Sequence, residues 1–248
     1  MLWLEEYIKM NATIDLEIIG YFDEFFTDNL NKEVLVSYGG AGSGKSYSTA
    51  QHIILRALEE KGKRFLITRK TLPALRMSCL QLVKDLLNEY EIPYEFNKSV
   101  SEMWIGDNQI LFKSLDNPEK IKSSEFNYIW AEEATELTHQ DFLQLRLRLR
   151  RKNELKNQLI MTLNPIDQFH WIRTKVLDTP NEDMASFQSN YKMNPFLSKE
   201  YIEQLEGLAE IDENYYRIYA LGEWGVLQNL IYSNWDVVDK IPEDYDEI

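Results

Sequence analysis

Gly39-Gly40-Ala41-Gly42-Ser43-Gly44-Lys45-Ser46 follows the apolar run Val34-Leu35-Val36-Ser37-Tyr38 and fills the pattern G-x-x-x-x-G-K-[ST]. The order is strand, glycine loop, helix start. Glycines let several backbone N–H groups converge on one phosphate, and the following helix adds its positive end. Lys45 then stands where it neutralises the β and γ phosphates, and the Ser46 hydroxyl where it ligates Mg²⁺. The cofactors expected from the motif are ATP and Mg²⁺, held by Gly39, Gly40, Ala41, Gly42, Ser43, Gly44, Lys45, Ser46 and Tyr47.

Outward from the loop, the chain alternates between strand and helix patterns. Tyr47 to Glu60 reads as a helix closed by Lys61-Gly62, Arg64 to Thr68 as a strand, and Leu75 to Tyr90 as an amphipathic helix stopping before Pro93. Glu102 to Ile105 and Gln109 to Phe112 flank Gly106-Asp107-Asn108 and predict a hairpin decorating the sheet edge. Phe126 to Ala131 is a buried strand that delivers Glu132-Glu133 at its end. Two carboxylates there complete a phosphate-loop site: Glu132 is assigned to the Mg²⁺ shell and Glu133 to orienting and activating the attacking water. Leu137 to Lys152 predicts a helix and Gln158 to Leu163 a further core strand. That strand ends in Asn164-Pro165, where Asn164, with Thr162, either senses the γ-phosphate or satisfies a turn before proline.

The remaining elements divide more loosely. Residues 1–33 form an N-terminal segment near the nucleotide site; its Tyr21, Phe22, Phe25 and Phe26 pack over the base or cap the sheet edge. Residues 34–180 form the nucleotide-binding core and 181–235 a small lid, with a strand at Ala185 to Tyr191 and helices at Ser198 to Leu208 and Glu213 to Leu221. Arg217 is the lid's phosphate-facing candidate, and 236–248 reads as an acidic linker. His170-Trp171 is read as packing. In the run Arg146-Leu147-Arg148-Leu149-Arg150-Arg151-Lys152, a solvated helix end competes with contacts to DNA phosphates or to a neighbouring subunit's nucleotide. Lys61, Lys63, Arg64, Arg69 and Lys70 make a second, looser basic set.

Composition bounds these readings. With 248 residues, 44% of them hydrophobic, the chain suits one α/β domain with an appendage. No apolar run spans a bilayer and the N-terminus lacks a signal peptide, so no membrane partner and an intracellular location are expected. The lone Cys79 excludes an internal disulfide. A net charge of −14 opposes diffuse binding to a polyanion, so nucleic-acid contact has to be local.

Five blocks in this order resemble the ATPase half of the large terminase subunit of tailed bacteriophages. They are Tyr38 to Ser46, Tyr128-Ile129-Trp130-Ala131-Glu132-Glu133-Ala134, Thr162-Leu163-Asn164-Pro165, Asn194-Pro195-Phe196-Leu197 and Leu221-Gly222-Glu223-Trp224-Gly225. The resemblance implies a P-loop NTPase of the additional-strand, catalytic-glutamate type, with a mostly parallel sheet, flanking helices and a helical lid. It implies packaging of double-stranded DNA by a homo-oligomeric ring in the host cytoplasm, with portal protein and small terminase subunit as partners. Carried over by position, Lys45, Ser46, Glu132, Glu133 and Asn164 keep the roles already read from the residues.

The chain departs from the family where relatives often place a basic residue in the loop and it has Ala41. Relatives also often carry an arginine about eleven residues before the catalytic glutamate, where this chain offers Lys122. Lys122 therefore ranks first as the trans-acting cation, ahead of Arg146, Arg148 or Arg150. The family's nuclease cluster is absent from these residues, so cleavage activity is not expected. Another P-loop motor such as a helicase, or a nucleotide-gated scaffold, remains the alternative.

Overall fold

The computed structural model describes residues 17–116, 121, 123–179 and 181–226. Among these residues eight strands form one sheet: β1 (Val34–Gly39), β2 (Arg64–Arg69), β3 (Glu95–Asn97), β4 (Glu102–Ile105), β5 (Asn108–Ser114), β6 (Tyr128–Glu132), β7 (Gln158–Leu163) and β8 (Met184–Ser189). Their spatial order is β3-β4-β5-β2-β6-β7-β1-β8. All neighbours from β5 through β8 run parallel, and only β3-β4 and β4-β5 are antiparallel. The fold is the expected α/β, P-loop NTPase architecture, and β7 is the strand inserted between loop strand β1 and carboxylate strand β6.

Parallel strands need covered faces, and the sequence supplies them as continuous apolar runs. Alternate residues point to opposite faces. Leu35, Phe65, Ile67, Ile110, Phe112, Trp130 and Ile160 pack on one side with Phe22, Ile53, Val83 and Leu87. Those side chains come from α1 (Gly20–Asp28), α2 (Lys45–Glu59) and α3 (72–89). Val36, Leu66, Ile129, Leu159 and Met161 face the other way, against Phe142 and Leu145 of α4 (His139–Arg146) and against Ile172 and Val176.

Three expectations are corrected here. The hairpin's second limb is no decoration, because β5 lies inside the sheet and pairs in parallel with β2 from Arg64↔Gln109 to Arg69↔Ser114. The predicted helix 137–152 starts later and stops sooner. Thr138 and Asp141 form a capping box that sets its start. Beyond Arg146 the carbonyls are claimed from outside the helix: Arg148 O accepts from Phe126 N, Leu149 O and Arg151 O from Asn157 Nδ2, and Lys152 O from Asn127 Nδ2. The boundary at 181 also moves, because β8 pairs with β1 along its whole length and belongs to the core.

The helical appendage proper comprises α5 (Lys199–Ile211), N-capped by Ser198, and α6 (213–221), whose last turn Arg217–Leu221 is π-helical. It packs on Tyr191, with Leu205 and Ala220 at its centre. The N-terminal aromatics cap the sheet edge: Phe22 and Phe25 lie 5.1 and 5.5 Å from the Phe187 ring on β8. Residues 1–16, 227–248 and Lys122 lie outside the described residues. Among the described residues no helix is long and apolar enough to cross a membrane.

His52 on α2 is buried beneath the Phe26 ring, with centroids 4.2 Å apart. Burial, followed by the Arg56 charge, pushes its pKa from 6.5 down to about 3. The unfolded chain therefore takes up a proton below pH 6.5 that the folded chain refuses. The contribution to stability is whole above that pH and is lost progressively as pH falls towards 3, by about 1.4 kcal/mol per pH unit. Urea midpoints measured from pH 7 to pH 5 should fall for the native sequence, and His52→Gln should lose this component of the slope.

Candidate nucleotide site

Parallel pairing sends the carboxyl ends of β1, β2, β6, β7 and β8 to one pole, and the chemistry-bearing residues sit there. The loop after β1 turns through Gly42 and Gly44 at φ 71° and 92°. Gly44 caps α2 with no room to spare, since a Cβ there would lie 2.3 Å from Ile19 Cδ1. Lys45 is the first residue of α2, only 8% exposed, and its ammonium donates to Gly40 O at 2.9 Å. Burial lowers its pKa, while the charges of Glu132 and Glu133 act against that. A buried ammonium, a helix start and inward-turned glycines make an anion site.

Ser46 Oγ donates to Glu132 Oε1 at 2.7 Å, joining α2 to the end of β6. Thr162 of β7 stands opposite Glu132 in the ladder and donates to its other oxygen, Oε2. Trp130 Nε1 in turn donates to Thr162 Oγ1 at 2.8 Å, which fixes the hydroxyl. A hydroxyl and a single carboxylate form a sparse oxygen set. It suits Mg²⁺, which keeps water and substrate phosphates as its other ligands. Among the described residues no group of three or more His, Cys, Asp or Glu side chains gathers for a metal.

At Glu133 the chain leaves the strand through the left-handed region, φ 51°, and starts the short turn Ala134–Glu136. A non-glycine residue held there costs on the order of 1 kcal/mol or more, so its surroundings must enforce it. The Glu133 carboxyl pKa is raised, first by burial and then by the Glu132 charge; Lys45, Arg69 and the Asn164 backbone amide lower it in part. Thr135 Oγ1 donates to Glu133 Oε1 at 3.4 Å. Asn164 follows β7 directly, and its buried side-chain oxygen finds no partner. A poised carboxylate and an unpaired amide oxygen thus share the pole with the anion site.

The helical appendage and the segment before it seat on the loop. Ala41 N donates to Tyr219 O at 2.7 Å, and Asn194 Nδ2 donates to Gly42 O at 2.7 Å. A side chain at Gly40 would meet Ala220 O at 2.5 Å. Beside Gly44, a cavity of about 730 Å³ opens between Ile19, Tyr47, Tyr90, Asn194 and Phe196. Asn194 and Tyr90 reach the loop from chain segments remote in sequence, so no local pattern reveals the meeting.

Other candidates lie elsewhere. Arg217 Nε is engaged by Glu223 at 2.8 Å within the lid. Arg146 pairs with Glu33 at 2.6 Å, just before β1, and Arg150 lies 3.8 Å from Glu125. Arg148 donates to Gln144 at 3.3 Å. These three arginines sit at the strand-start pole, at the opposite end of the sheet from this chain's own phosphate loop. Arg69 and Lys70, by contrast, stand at the site pole and pair with Glu136 and Asp141.

A family model described as phage terminase large subunit matches residues 31–223. The PBSX phage terminase large subunit of Bacillus subtilis (strain 168) is 33% identical over 234 residues, covering 85% of this chain and 53% of that protein. The large terminase of the thermophilic bacteriophage D6E superposes with a TM-score of 0.71 at 19% identity, over 87% of this chain and 55% of that one. Its complex with ADP gives 0.68 at 18% identity, over 78% and 48%. The chain thus spans about half the length of the curated relatives it matches. With the family model matching residues 31–223 and a relative 33% identical across 85% of its length, the chain belongs to the phage terminase large subunit family.

Proposed function

We propose that this chain hydrolyses ATP to ADP and phosphate, with Mg²⁺, to drive double-stranded viral DNA into a procapsid. The observation that carries the reading is the 2.7 Å bond from Ser46 Oγ to Glu132 Oε1, which brings the phosphate loop and the strand-end carboxylates into one site. The ADP complex of the D6E large terminase supports nucleotide as the ligand.

The loop amides and Lys45 hold the β and γ phosphates, and the base fits the cavity beside Tyr47, Tyr90 and Phe196. Ser46 and Glu132 would hold Mg²⁺, whose charge offsets that of the triphosphate. Glu133 orients a water for in-line attack on the γ-phosphorus and takes up its proton; a P–O bond forms to that water as the bond to the ADP oxygen breaks. Asn164, one residue past β7 with its side-chain oxygen unpartnered, senses hydrolysis in this reading by losing a hydrogen bond when phosphate leaves. A neighbouring subunit supplies the last cation, with Lys122 ranked first and Arg146, Arg148 and Arg150 second. In this reading the chain works in a homo-oligomeric ring in the host cytoplasm, with DNA, portal protein and small terminase subunit as partners.

Glu133→Gln should bind ATP with native affinity and release phosphate some 10² to 10⁴ times more slowly, whereas Lys45→Ala should lose nucleotide binding. Native phosphate release from the Glu133 variant would remove the catalytic assignment. Specific activity should also rise with protein concentration, because a cation supplied in trans contributes about 10³ to 10⁵ in rate. A flat dilution series would rule out a shared site.

A further inference from the structure

Glu133 sits in a backbone conformation that its own side chain does not favour, and two residues outside the proposed reaction fix the turn that holds it. Arg69, the last residue of β2, extends a guanidinium fork to Glu136: Nη2 reaches Oε1 at 3.0 Å and Nε reaches Oε2 at 3.2 Å. Its third nitrogen, Nη1, lies 3.4 Å from Ser78 Oγ on the π-helical turn Arg76–Leu80. Glu136 closes the short turn that Glu133 opens, its backbone N–H donating to Glu133 O at 2.9 Å. One strand over, β2 and β6 pair up to Thr68↔Ala131, so Arg69 leaves the sheet beside the point where Glu132 and Glu133 emerge.

The geometry points to the Arg69–Glu136 pair as a positioning device for Glu133: a bidentate strut from β2 that holds the Glu133–Glu136 turn, and with it the carboxylate that aims the attacking water. The inference rests on the reading of Glu133 given above. Chemistry favours arginine for the task, because two parallel N–H···O bonds fix orientation as well as distance, which the lysine ammonium does not do. The pair is partly solvent-exposed, with side chains 21% and 35% exposed, so it adds little to global stability. Its effect should therefore appear in turnover rather than in melting, since small displacements of a catalytic group are costly.

The test is a double-mutant cycle on the full chain with Arg69→Gln, Glu136→Gln and the double variant, alongside Arg69→Lys and Glu133→Gln. Steady-state ATPase kinetics, binding of a fluorescent ADP analogue and thermal melting are the readouts. Each single variant should lose roughly 10- to 100-fold in kcat, with KM and ADP affinity unchanged within about twofold. The double variant should fall no further than the worse single, because both substitutions break one strut. Arg69→Lys should recover only part of the loss. Native kcat in both single variants would overturn the proposal, as would strictly multiplicative losses or a fall in kcat matched by loss of melting temperature and nucleotide affinity. If Glu133→Gln itself turns over normally, the reading of Glu133 fails; if that variant is inactive while the strut variants are native, only the strut fails.

Discussion

A single hydrogen bond, from Ser46 on the first turn of α2 to Glu132 at the end of β6, ties together two parts of the chain separated by 86 positions. Everything at the site pole is arranged around it. Glu132 is held on its other side by Thr162, and Thr162 by Trp130, so three adjacent elements of the molecule fix one carboxylate. A carboxylate shared between two hydroxyl donors keeps its place before any metal or phosphate arrives, and preorganisation of that kind lowers the cost of assembling charge around a triphosphate.

That bond requires a parallel sheet. Because β1, β6 and β7 run the same way, their carboxyl ends emerge together, and the glycine loop, the two glutamates and Asn164 meet without any long detour of the chain. The same rule brings Arg69 to the pole from β2 and Ser189 from β8, where Ser189 Oγ donates to Ser43 at 3.0 Å. The opposite pole collects the starts of the strands and the arginines 146, 148 and 150. The separation of poles divides these cations into a set at the site pole and a set at the strand-start pole.

Much of this arrangement was legible in the order of residues. The phosphate loop reads from glycine spacing alone, and the core strands from short apolar runs, since strands buried on both faces carry no alternation to obscure them. Glu132 and Glu133 stand out because carboxylates at the end of such a run have no packing reason to be there. The limb Gln109 to Phe112 reads as edge decoration because its hairpin turn is local, whereas its pairing with β2 joins residues some 45 positions apart. The helical pattern runs past Arg146 where the helix itself stops, because Asn127 and Asn157 claim the carbonyls there and no local pattern announces a competing donor.

The sequence by itself determined the loop, the carboxylates and the alternation of strands and helices, because each depends on backbone conformation or burial within a few neighbouring residues. Only the tertiary structure decided that Ser46 meets Glu132, that Asn194 and Tyr219 close on the loop, and that Arg69 grips Glu136. Those contacts depend on which strands lie side by side. Strand order follows from how the two apolar faces are covered by helices drawn from the whole chain, a balance that no short stretch of residues contains.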